Sequence, residues 1–345
     1  MSALERAFNL SFPYEIVLKY ISLYKSVGES VKDTDLLGEH YSIYHEIVYK
    51  EDIKNLFEMY FKDYKMTSAR MSSIIDKSGN TVYKNNDEKY LANLTNIFDM
   101  IYSDSTFDFL STEIIDLELQ LSSGIQKSKG LKRPNKNEKS YRERLDELIE
   151  LYHKNLKSGK CEVQYLNVSF MVDFIKLSPF YEHNELIGLI ILYVLMLKTD
   201  IKSFAYISFF KELKNKEEEF KSNLLKSFYM YDEGMTNISD LFKFILDIEV
   251  KSYKDLHYLS REIEQDKVIK KSSSVVTVIY KLPETFSKED IRRMIPTVSD
   301  STIDRVLKAL QDEGKIMALG RGRGSKWLRL DDTYDSNQKF LDNFN

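Results

Sequence analysis

The chain has 345 residues, of which 43% are hydrophobic, and this is enough apolar material for two or three folded domains. Its 54 acidic residues slightly outnumber its 50 lysines and arginines, and the net charge of -4 excludes a global attraction to nucleic acid or to an anionic membrane surface. The single cysteine, Cys161, excludes an internal disulfide framework and is typical of a reducing compartment, so we expect a cytoplasmic protein.

The sequence also lacks segments suited to a membrane. The first twenty residues contain Glu5, Arg6 and Glu15, so they lack the uninterrupted apolar core of a signal peptide. The longest uncharged apolar run, 186–197, is shorter than the roughly 20 residues needed to cross a bilayer. We therefore expect no membrane partner, and we interpret this run as a buried helix.

Apolar residues recur at spacings of three and four through most of the first 265 residues, a pattern typical of helices. Breaks at Pro13, at 28–33 and at 78–80 divide the N-terminal part, residues 1–104. Four helices are predicted there, near 14–27, 42–64, 66–77 and 86–103. We expect this part to form an N-terminal helical region.

The central part, 105–265, is predicted to form the main helical core. Its predicted helices lie near 111–123, 142–156, 164–177, 186–198, 208–230 and 238–250. Between the first two, the loop 126–139 carries six lysines and arginines together with Gly130 and Pro134. This loop is interpreted either as a solvated connector or as a flap that docks a target or attracts anions.

The segment 178–188 reads Ser-Pro-Phe-Tyr-Glu-His-Asn-Glu-Leu-Ile-Gly and lies between two predicted helices. It resembles the signature of the Fic (fido) family, in which histidine, proline and phenylalanine precede an acid, then Gly-Asn-Gly and two arginines. The matching residues are Pro179, Phe180, Glu182, Asn184 and Gly188. The departures are Ser178 for the histidine, His183 and Glu185 for the glycines, and Leu186 and Leu189 for the arginines. With the helix spacing and the segment 207–225, the resemblance covers roughly 105–330.

The resemblance implies an activity, because proteins with the full signature usually transfer AMP from ATP to a hydroxyl group on a target protein. In the family the histidine acts as general base, a role that Ser178 cannot fill. The family acid holds a magnesium ion that bridges nucleotide phosphates, and Glu182 keeps that chemistry. Asn184 and Gly188 remain as candidate nucleotide contacts. ATP and Mg²⁺ are thus the expected cofactors only if the site is still used.

The substitutions together point away from ATP-dependent transfer. His183 and Glu185 oppose the close approach of phosphate by bulk and by charge, since glycines are what let backbone N–H groups reach phosphate oxygens. Replacement of both arginines by leucine removes the groups that would neutralise phosphate. His183 has two interpretations: a relocated base or metal ligand, or a loop histidine that bonds backbone or water. Asn184 also suits a helix cap.

A second device in the family is an inhibitory helix with Ser or Thr and, four residues later, Glu followed by Gly. Residues 66–77 contain a loose match, in which Ser72 and Asp76 take the two conserved places and Lys77 replaces the glycine. The arginine with which such an acid would pair is Leu189, so Asp76 lacks an obvious partner. The alternative is a plain helix end that faces solvent.

Residues 275–332 follow a polar break at 270–274 and are predicted to form a winged helix-turn-helix. Ser287 suits an N-cap of a short helix through Met294, and Ser299 suits an N-cap of a second helix that runs to Glu313. Two strands, at 315–319 and 326–330, are joined by a wing rich in glycine and arginine.

The charges of this predicted winged helix favour two different partners. Residues 315–330 include five basic residues and no acid, which suits contacts to DNA phosphates, whereas Asp300 and Asp304 oppose them. The candidate DNA contacts are Ser301, Thr302, Arg305, Lys308, Arg321, Arg323 and Lys326. The alternative is a winged helix that serves dimerisation or docks a protein.

The predicted fold is mainly α: an all-helical Fic fold with an N-terminal helical extension and a C-terminal winged helix with a small β wing. The predicted function is that of a catalytically degenerate Fic-like protein that binds a protein partner, or DNA through the winged helix. Two alternatives stay open. One is an atypical adenylyltransferase, or another nucleotide-dependent group transferase, that acts on protein hydroxyls. The other is a structural homodimer that presents the winged helix.

Overall fold

The computed structural model describes residues 2–7, 12–38, 41–78, 82–103, 108–125, 130–199, 201–266, 271–320 and 325–330. Within these ranges the chain forms sixteen α-helices and a three-stranded sheet. The mainly helical fold with a small sheet near the C-terminus, predicted from the sequence, is therefore confirmed.

The helices of the first 200 residues are α1 (Ala3–Arg6), α2 (Tyr14–Glu29), α3 (Val31–Gly38), α4 (Tyr41–Tyr60), α5 (Ser68–Ile75), α6 (Asn86–Tyr102), α7 (Ser111–Leu121), α8 (Tyr141–Ser158), α9 (Val163–Leu177) and α10 (Asn184–Leu197). The later elements are α11 (Phe209–Asn215), α12 (Glu217–Ser227), α13 (Ser239–Asp266), α14 (Lys271–Lys281), β1 (Thr285–Ser287), α15 (Lys288–Met294), α16 (Asp300–Asp312), β2 (Ile316–Ala318) and β3 (Lys326–Arg329).

Two consecutive helices, α9 and α10, form the centre of the molecule. Every residue of α10 from Leu186 to Met196 is buried, and so is every residue of α9 from Gln164 to Phe174. Helices that are apolar around most of their circumference must lie inside a larger helical assembly. The prediction that 186–197 is a buried helix is correct, and the described helices include none that is long and apolar enough to span a membrane.

The N-terminal helices pack directly on this core. Asp173 of α9 accepts hydrogen bonds from the backbone N–H groups of Ala3 and Leu4, at 2.8 and 2.9 Å, and this holds the start of α1 against α9. Helix α2 packs on α13 through Ile16, Tyr20 and Leu23. The first hundred residues thus share one hydrophobic core with the rest of the helical body.

A buried hydrogen-bond network around Asp52 joins α4 to α10 and α11. Asp52 Oδ2 accepts from the hydroxyl of Tyr193 at 2.7 Å, and Oδ1 accepts from Ser208 and from the N–H of Phe210. The hydroxyl of Tyr193 also lies 2.6 Å from that of Tyr102. Burial raises the pKa of Asp52 to about 7, although the three donated hydrogen bonds partly oppose this.

The C-terminal elements from α14 to β3 form a smaller unit, here called the C-terminal unit. Its sheet has the strand order β1-β3-β2, and both pairs are antiparallel, with Thr285 opposite Leu328 and Ile316 opposite Arg329. Helices α14 and α16 pack on each other beside the sheet, and the buried residues between the elements include Ile279, Ile303 and Leu307.

The structure corrects three boundaries. The predicted break at 270–274 is wrong from Lys271 onward, because α14 begins there and buries Val275 and Ile279. The single helix predicted near 208–230 is two helices that meet at Lys216, and α13 extends to Asp266 instead of ending near 250. The predicted wing residues Arg321 and Arg323 lie outside the described residues.

The raised pKa of Asp52 predicts that the stability of the chain depends on pH. Its pKa is about 7 in the folded chain against an ordinary value of 3.8, so the folded state binds the extra proton between these values, and the free energy of unfolding falls as pH rises from about 4 to 7. Asp52→Asn removes this term. Between pH 4.5 and 8 we expect the variant to gain stability relative to the native chain by up to about 3 kcal/mol, measured by urea unfolding.

The matched control is Asp232→Asn, which changes an exposed carboxylate that pairs with Lys176. This control should follow the native curve within a few tenths of a kcal/mol at each pH. A difference between native chain and Asp52→Asn that stays constant across the pH range would contradict the assignment.

Candidate functional site

The motif loop, residues 178–183, connects α9 to α10 and has an unusual backbone at both ends. Ser178 ends α9 with a φ of 47°, and its N–H bonds the carbonyl of Phe174 at 2.9 Å. His183 precedes α10 with a φ of 62°. Side chains disfavour such positive φ values, and His183 stands where the resembled signature has a glycine. The loop therefore keeps a glycine-type conformation at a position without glycine.

Asn184, the predicted nucleotide contact, closes the motif loop from within. Its Oδ1 accepts from the N–H of Phe180 at 2.9 Å, and its Nδ2 donates to the carbonyl of Phe180 at 2.8 Å. Both polar groups of the amide thus bond one residue of the same loop. Phe180 is itself fully buried and packs near Phe174, so the loop is fastened to the core at its centre.

Two residues of the loop 126–139, Leu131 and Lys132, contact the motif loop. Leu131 and Phe180 form an isolated antiparallel bridge, and the N–H of Lys132 donates to the carbonyl of Pro179 at 2.8 Å. Lys132 Nζ donates to Ser178 Oγ, also at 2.8 Å. Residues 131 and 132 thus lie against the motif loop. A lysine contacts the side chain that replaces the family histidine.

His183 lies in an aromatic environment supplied by α4 and α6. Its Nε2 is 3.2 Å from the hydroxyl of Tyr90, and its ring contacts the rings of Tyr90 and Phe61. Burial lowers the pKa of His183, and the neighbouring Glu182 only partly opposes this. The imidazole is therefore neutral near pH 7 and is partnered inside the fold.

Glu182 in the motif loop and Glu185 in the first turn of α10 differ in their surroundings. Glu182 is half-exposed, and its carboxylate lies 3.9 Å from Nε2 of His183. Glu185 faces α4, where its Oε1 accepts from the hydroxyl of Tyr60 at 2.7 Å. Among the described residues no group of three His, Cys, Asp or Glu side chains is arranged to hold a metal. Glu182 would need ligand oxygens to complete a magnesium site, as is usual for that ion.

Gly188, the other predicted nucleotide contact, lies where α9 and α10 approach each other closely. A Cβ atom at this position would lie 2.8 Å from Cγ1 of Ile175, so α9 and α10 can approach this closely only because Gly188 has no side chain. Leu186 and Leu189, which replace the family arginines, are also buried. This face of α10 is therefore part of the core.

Ser72 and Asp76, the predicted inhibitory-helix residues, lie on the side of the helical body that meets the C-terminal unit. Thr67 caps α5, and Asp76 follows its last turn. Asp76 pairs with Lys50 of α4 at 2.9 Å and with Lys326 of β3. Burial would raise the pKa of Asp76, but the two lysines outweigh it and lower the pKa. Asp76 thus has two lysine partners that the sequence did not reveal.

The interdomain cleft, about 510 Å³ in volume, lies between α4, α5 and α11 on one side and the C-terminal unit on the other. Ion pairs cross it in a continuous chain. Lys326 bonds Asp76, Asp76 bonds Lys50, Lys50 bonds Glu46 at 2.8 Å, and Glu46 bonds Arg293 at 3.2 Å. A further pair joins Lys54 to Glu284. These charges hold the C-terminal unit on the body.

The predicted DNA contacts separate into two groups. Ser301, Arg305 and Lys308 are exposed and lie on one face of α16, whereas the hydroxyl of Thr302 is within 2.9 Å of Ser299. Lys326 is engaged with Asp76 in the interdomain cleft and is only partly exposed.

The two acids that opposed DNA binding in the sequence are both paired within the C-terminal unit. Asp300 bonds Arg292 and Asp304 bonds Lys288. Pairing offsets their charge at the start of α16, a compensation that the sequence did not show.

The close approach of α9 and α10 predicts the effect of Gly188→Ala. The added methyl group must displace Ile175, and overpacking of this kind costs about 1–3 kcal/mol of stability. Urea unfolding should show this loss. In the double variant Gly188→Ala/Ile175→Ala, which makes room for the methyl group, the Gly188→Ala step should cost less.

The matched control is Gly28→Ala in α2, where an added Cβ meets nothing within 4 Å. This variant should be neutral or more stable by up to about 1 kcal/mol, because alanine favours helix. If Gly188→Ala were equally harmless, the packing role assigned to Gly188 would be wrong.

Comparisons with known proteins identify the fold but not the sequence family. No family model matches the chain, and no curated protein matches it. A solved structure does match it: the crystal structure of a Fic family protein from Desulfovibrio desulfuricans G20, with a TM-score of 0.54 and 10% sequence identity. The match covers 94% of this chain and 99% of the other. The chain therefore has the fold of a Fic family protein, as the motif at 178–188 predicted.

Proposed function

We propose that this protein is a catalytically degenerate Fic-like protein that acts by binding another macromolecule and not by transferring AMP. The observation that carries the proposal is the closure of the motif loop by Asn184, whose amide bonds both the N–H and the carbonyl of Phe180. A side chain used in this way is not directed at a phosphate. The loop that would contact nucleotide in the resembled family is here held in place by its own hydrogen bonds.

The charges around the loop support the same conclusion. Phosphoryl chemistry needs cations at the phosphates, and the positions of both family arginines hold buried leucines. Glu185 adds a carboxylate beside them, although it bonds Tyr60. Lys132 supplies one positive charge, and this observation favours the alternative, an atypical nucleotide-dependent transferase. Lys132 is, however, bonded to Ser178 Oγ.

A general base is also absent from the place where the family has one. Ser178 has no group that is basic near pH 7, and its hydroxyl accepts from Lys132. His183 is the nearest imidazole in sequence, but it contacts Tyr90 and Phe61 and not Ser178 in the described contacts. A relocated base would have to leave this aromatic environment before it could act on a target hydroxyl.

The binding role is assigned to the C-terminal unit, which we propose to be a winged helix in a cytoplasmic regulator. A protein partner is the first candidate. DNA is a second candidate, and the specific observation that favours it is the pairing of Asp300 and Asp304 with Arg292 and Lys288. This pairing leaves Arg305 and Lys308 as the cations on the exposed face of α16.

Calorimetry with ATP and Mg²⁺ tests the degenerate site. We expect no saturable heat with the native chain, nor with other nucleoside triphosphates, because the loop groups are already bonded within the fold. Saturable binding that is weakened by Glu182→Ala would overturn the proposal and favour the transferase, since Glu182 is half-exposed and its replacement leaves the core intact. Asn184→Ala serves as a second variant, with circular dichroism to verify its fold.

Fluorescence anisotropy with a labelled 20-base-pair duplex tests the DNA candidate. If DNA is the partner, affinity should fall as salt rises from 50 to 200 mM. The variant Arg305→Ala/Lys308→Ala should bind more weakly, with a salt slope reduced by roughly two. The control is Lys221→Ala/Lys226→Ala on α12, which removes the same charge elsewhere and should have little effect. If the native chain does not bind the duplex at 50 mM salt, DNA is excluded as the partner and a protein partner remains.

A further inference from the structure

The outer face of α2 carries a continuous row of exposed apolar side chains, here called the α2 row. Its members, with their exposed fractions, are Tyr14 (75%), Val17 (40%), Leu18 (45%), Ile21 (61%) and Tyr24 (49%). The spacings of three and four residues place all of them on one side of the helix. Single exposed apolar residues are normal on protein surfaces, but a contiguous row marks an interaction site.

The opposite face of α2 is already occupied. Ile16, Tyr20 and Leu23 are buried against α13, so the helix is apolar on two sides. The inner face accounts for most of the packing of α2 in the monomer. In the outer row, Tyr24 stacks on Tyr20 and donates from its hydroxyl to Glu162 at 2.5 Å, but about half of Tyr24 and most of Tyr14 and Ile21 stay exposed. Burial of the α2 row therefore requires a further surface.

A lipid surface does not suit the α2 row. Helices that lie on membranes carry many lysines and arginines on their polar face. The charged residues of α2 are two acids and two bases, Glu15, Glu29, Lys19 and Lys25, and their charges cancel. Lys19 is in addition paired with Asp247 of α13.

The α2 row is nearly the same when it is read in either direction. Tyr14 and Tyr24 lie at its ends, five residues on either side of Lys19, and Val17 and Ile21 lie two residues on either side of the same point. Two antiparallel copies of such a helix would place tyrosine beside tyrosine and aliphatic beside aliphatic. Interfaces with two-fold symmetry need this self-complementarity, because the same surface faces itself.

The charges at the ends of the row are complementary in the same arrangement. Glu15 and Lys25 are both strongly exposed and lie at opposite ends of the row. In an antiparallel pair, Lys25 of one copy lies near Glu15 of the other, and the contact occurs twice. Glu15 pairs with Lys243 and Lys25 with Glu29 within the chain, so the second copy would extend existing ion pairs.

The area of the row suits a second copy. From the exposed fractions, the five side chains present roughly 500–600 Å² per chain. With their polar neighbours, two facing rows bury roughly 1,200 Å² in total, at the lower end of stable interfaces between proteins. A dimer of moderate affinity is the expected result.

We propose that two copies of this chain form a homodimer through the α2 row, with the helices antiparallel about a two-fold axis at the level of residue 19. The interface is on α2 and involves neither the motif loop nor α16. It does not depend on the proposed function, and the homodimer can exist whether or not nucleotide or DNA binds.

Sedimentation velocity of the full chain from about 1 to 100 µM tests the dimer. We expect a concentration-dependent dimer that Ile21→Glu weakens at least tenfold, because a carboxylate would be buried at the centre of the interface. The matched control is Leu225→Glu on α12, an equally exposed leucine at 69%, which should leave the dimer unchanged.

A charge exchange tests the orientation and guards against a variant that fails to fold. Lys25→Glu should weaken the dimer, and Glu15→Lys/Lys25→Glu should restore it, since both inter-copy pairs are then reversed. A chain that is monomeric at 100 µM overturns the proposal, as does an Ile21→Glu variant that dimerises like the native chain. A double charge variant that fails to recover overturns the antiparallel arrangement.

Discussion

The close contact of α9 and α10 at Gly188 is the constraint on which the rest of the site depends. The missing side chain lets Ile175 approach the backbone of α10, and the burial of both helices then fixes where the motif loop starts and ends. Because the loop is short, its two ends take the left-handed conformation at Ser178 and His183. The packing of two apolar helices thus determines the backbone of the loop without any ligand.

This dependence means that the packing of the motif does not rely on its chemistry. Phe180 and Gly188, which match the family signature, are the residues that pack, and Asn184 has become a hydrogen-bonded support of Phe180. Two of the positions at which the chain departs from the signature, Leu186 and Leu189, are those at which arginines would carry positive charge. Leu186 and Leu189 bury apolar side chains in the core, which arginines at these positions could not do.

The sequence was sufficient to predict most helices and the fold. It was insufficient to predict the contacts between segments that are distant along the chain. Helical periodicity predicted most helices of the body to within a few residues, and the motif predicted the fold. Helix α14 was missed because its apolar residues, such as Val275 and Ile279, are β-branched and follow several serines, and neither feature favours helix. The bonds of Lys132 to Ser178 and of Asp76 to Lys50 and Lys326 join residues 26 to 250 positions apart. No spacing rule reveals such pairs.

Ion pairs and exposed apolar side chains are concentrated at two places outside the motif loop. At the motif loop itself, Asn184 bonds Phe180 and Lys132 bonds Ser178. Charged pairs are instead concentrated where the body meets the C-terminal unit, and exposed apolar side chains are concentrated on α2. Ion pairs of this kind weaken as salt rises, whereas apolar burial does not. The two surfaces would therefore respond differently to ionic strength, because added salt would weaken the ion pairs between the C-terminal unit and the body and would leave apolar contacts at α2 in place.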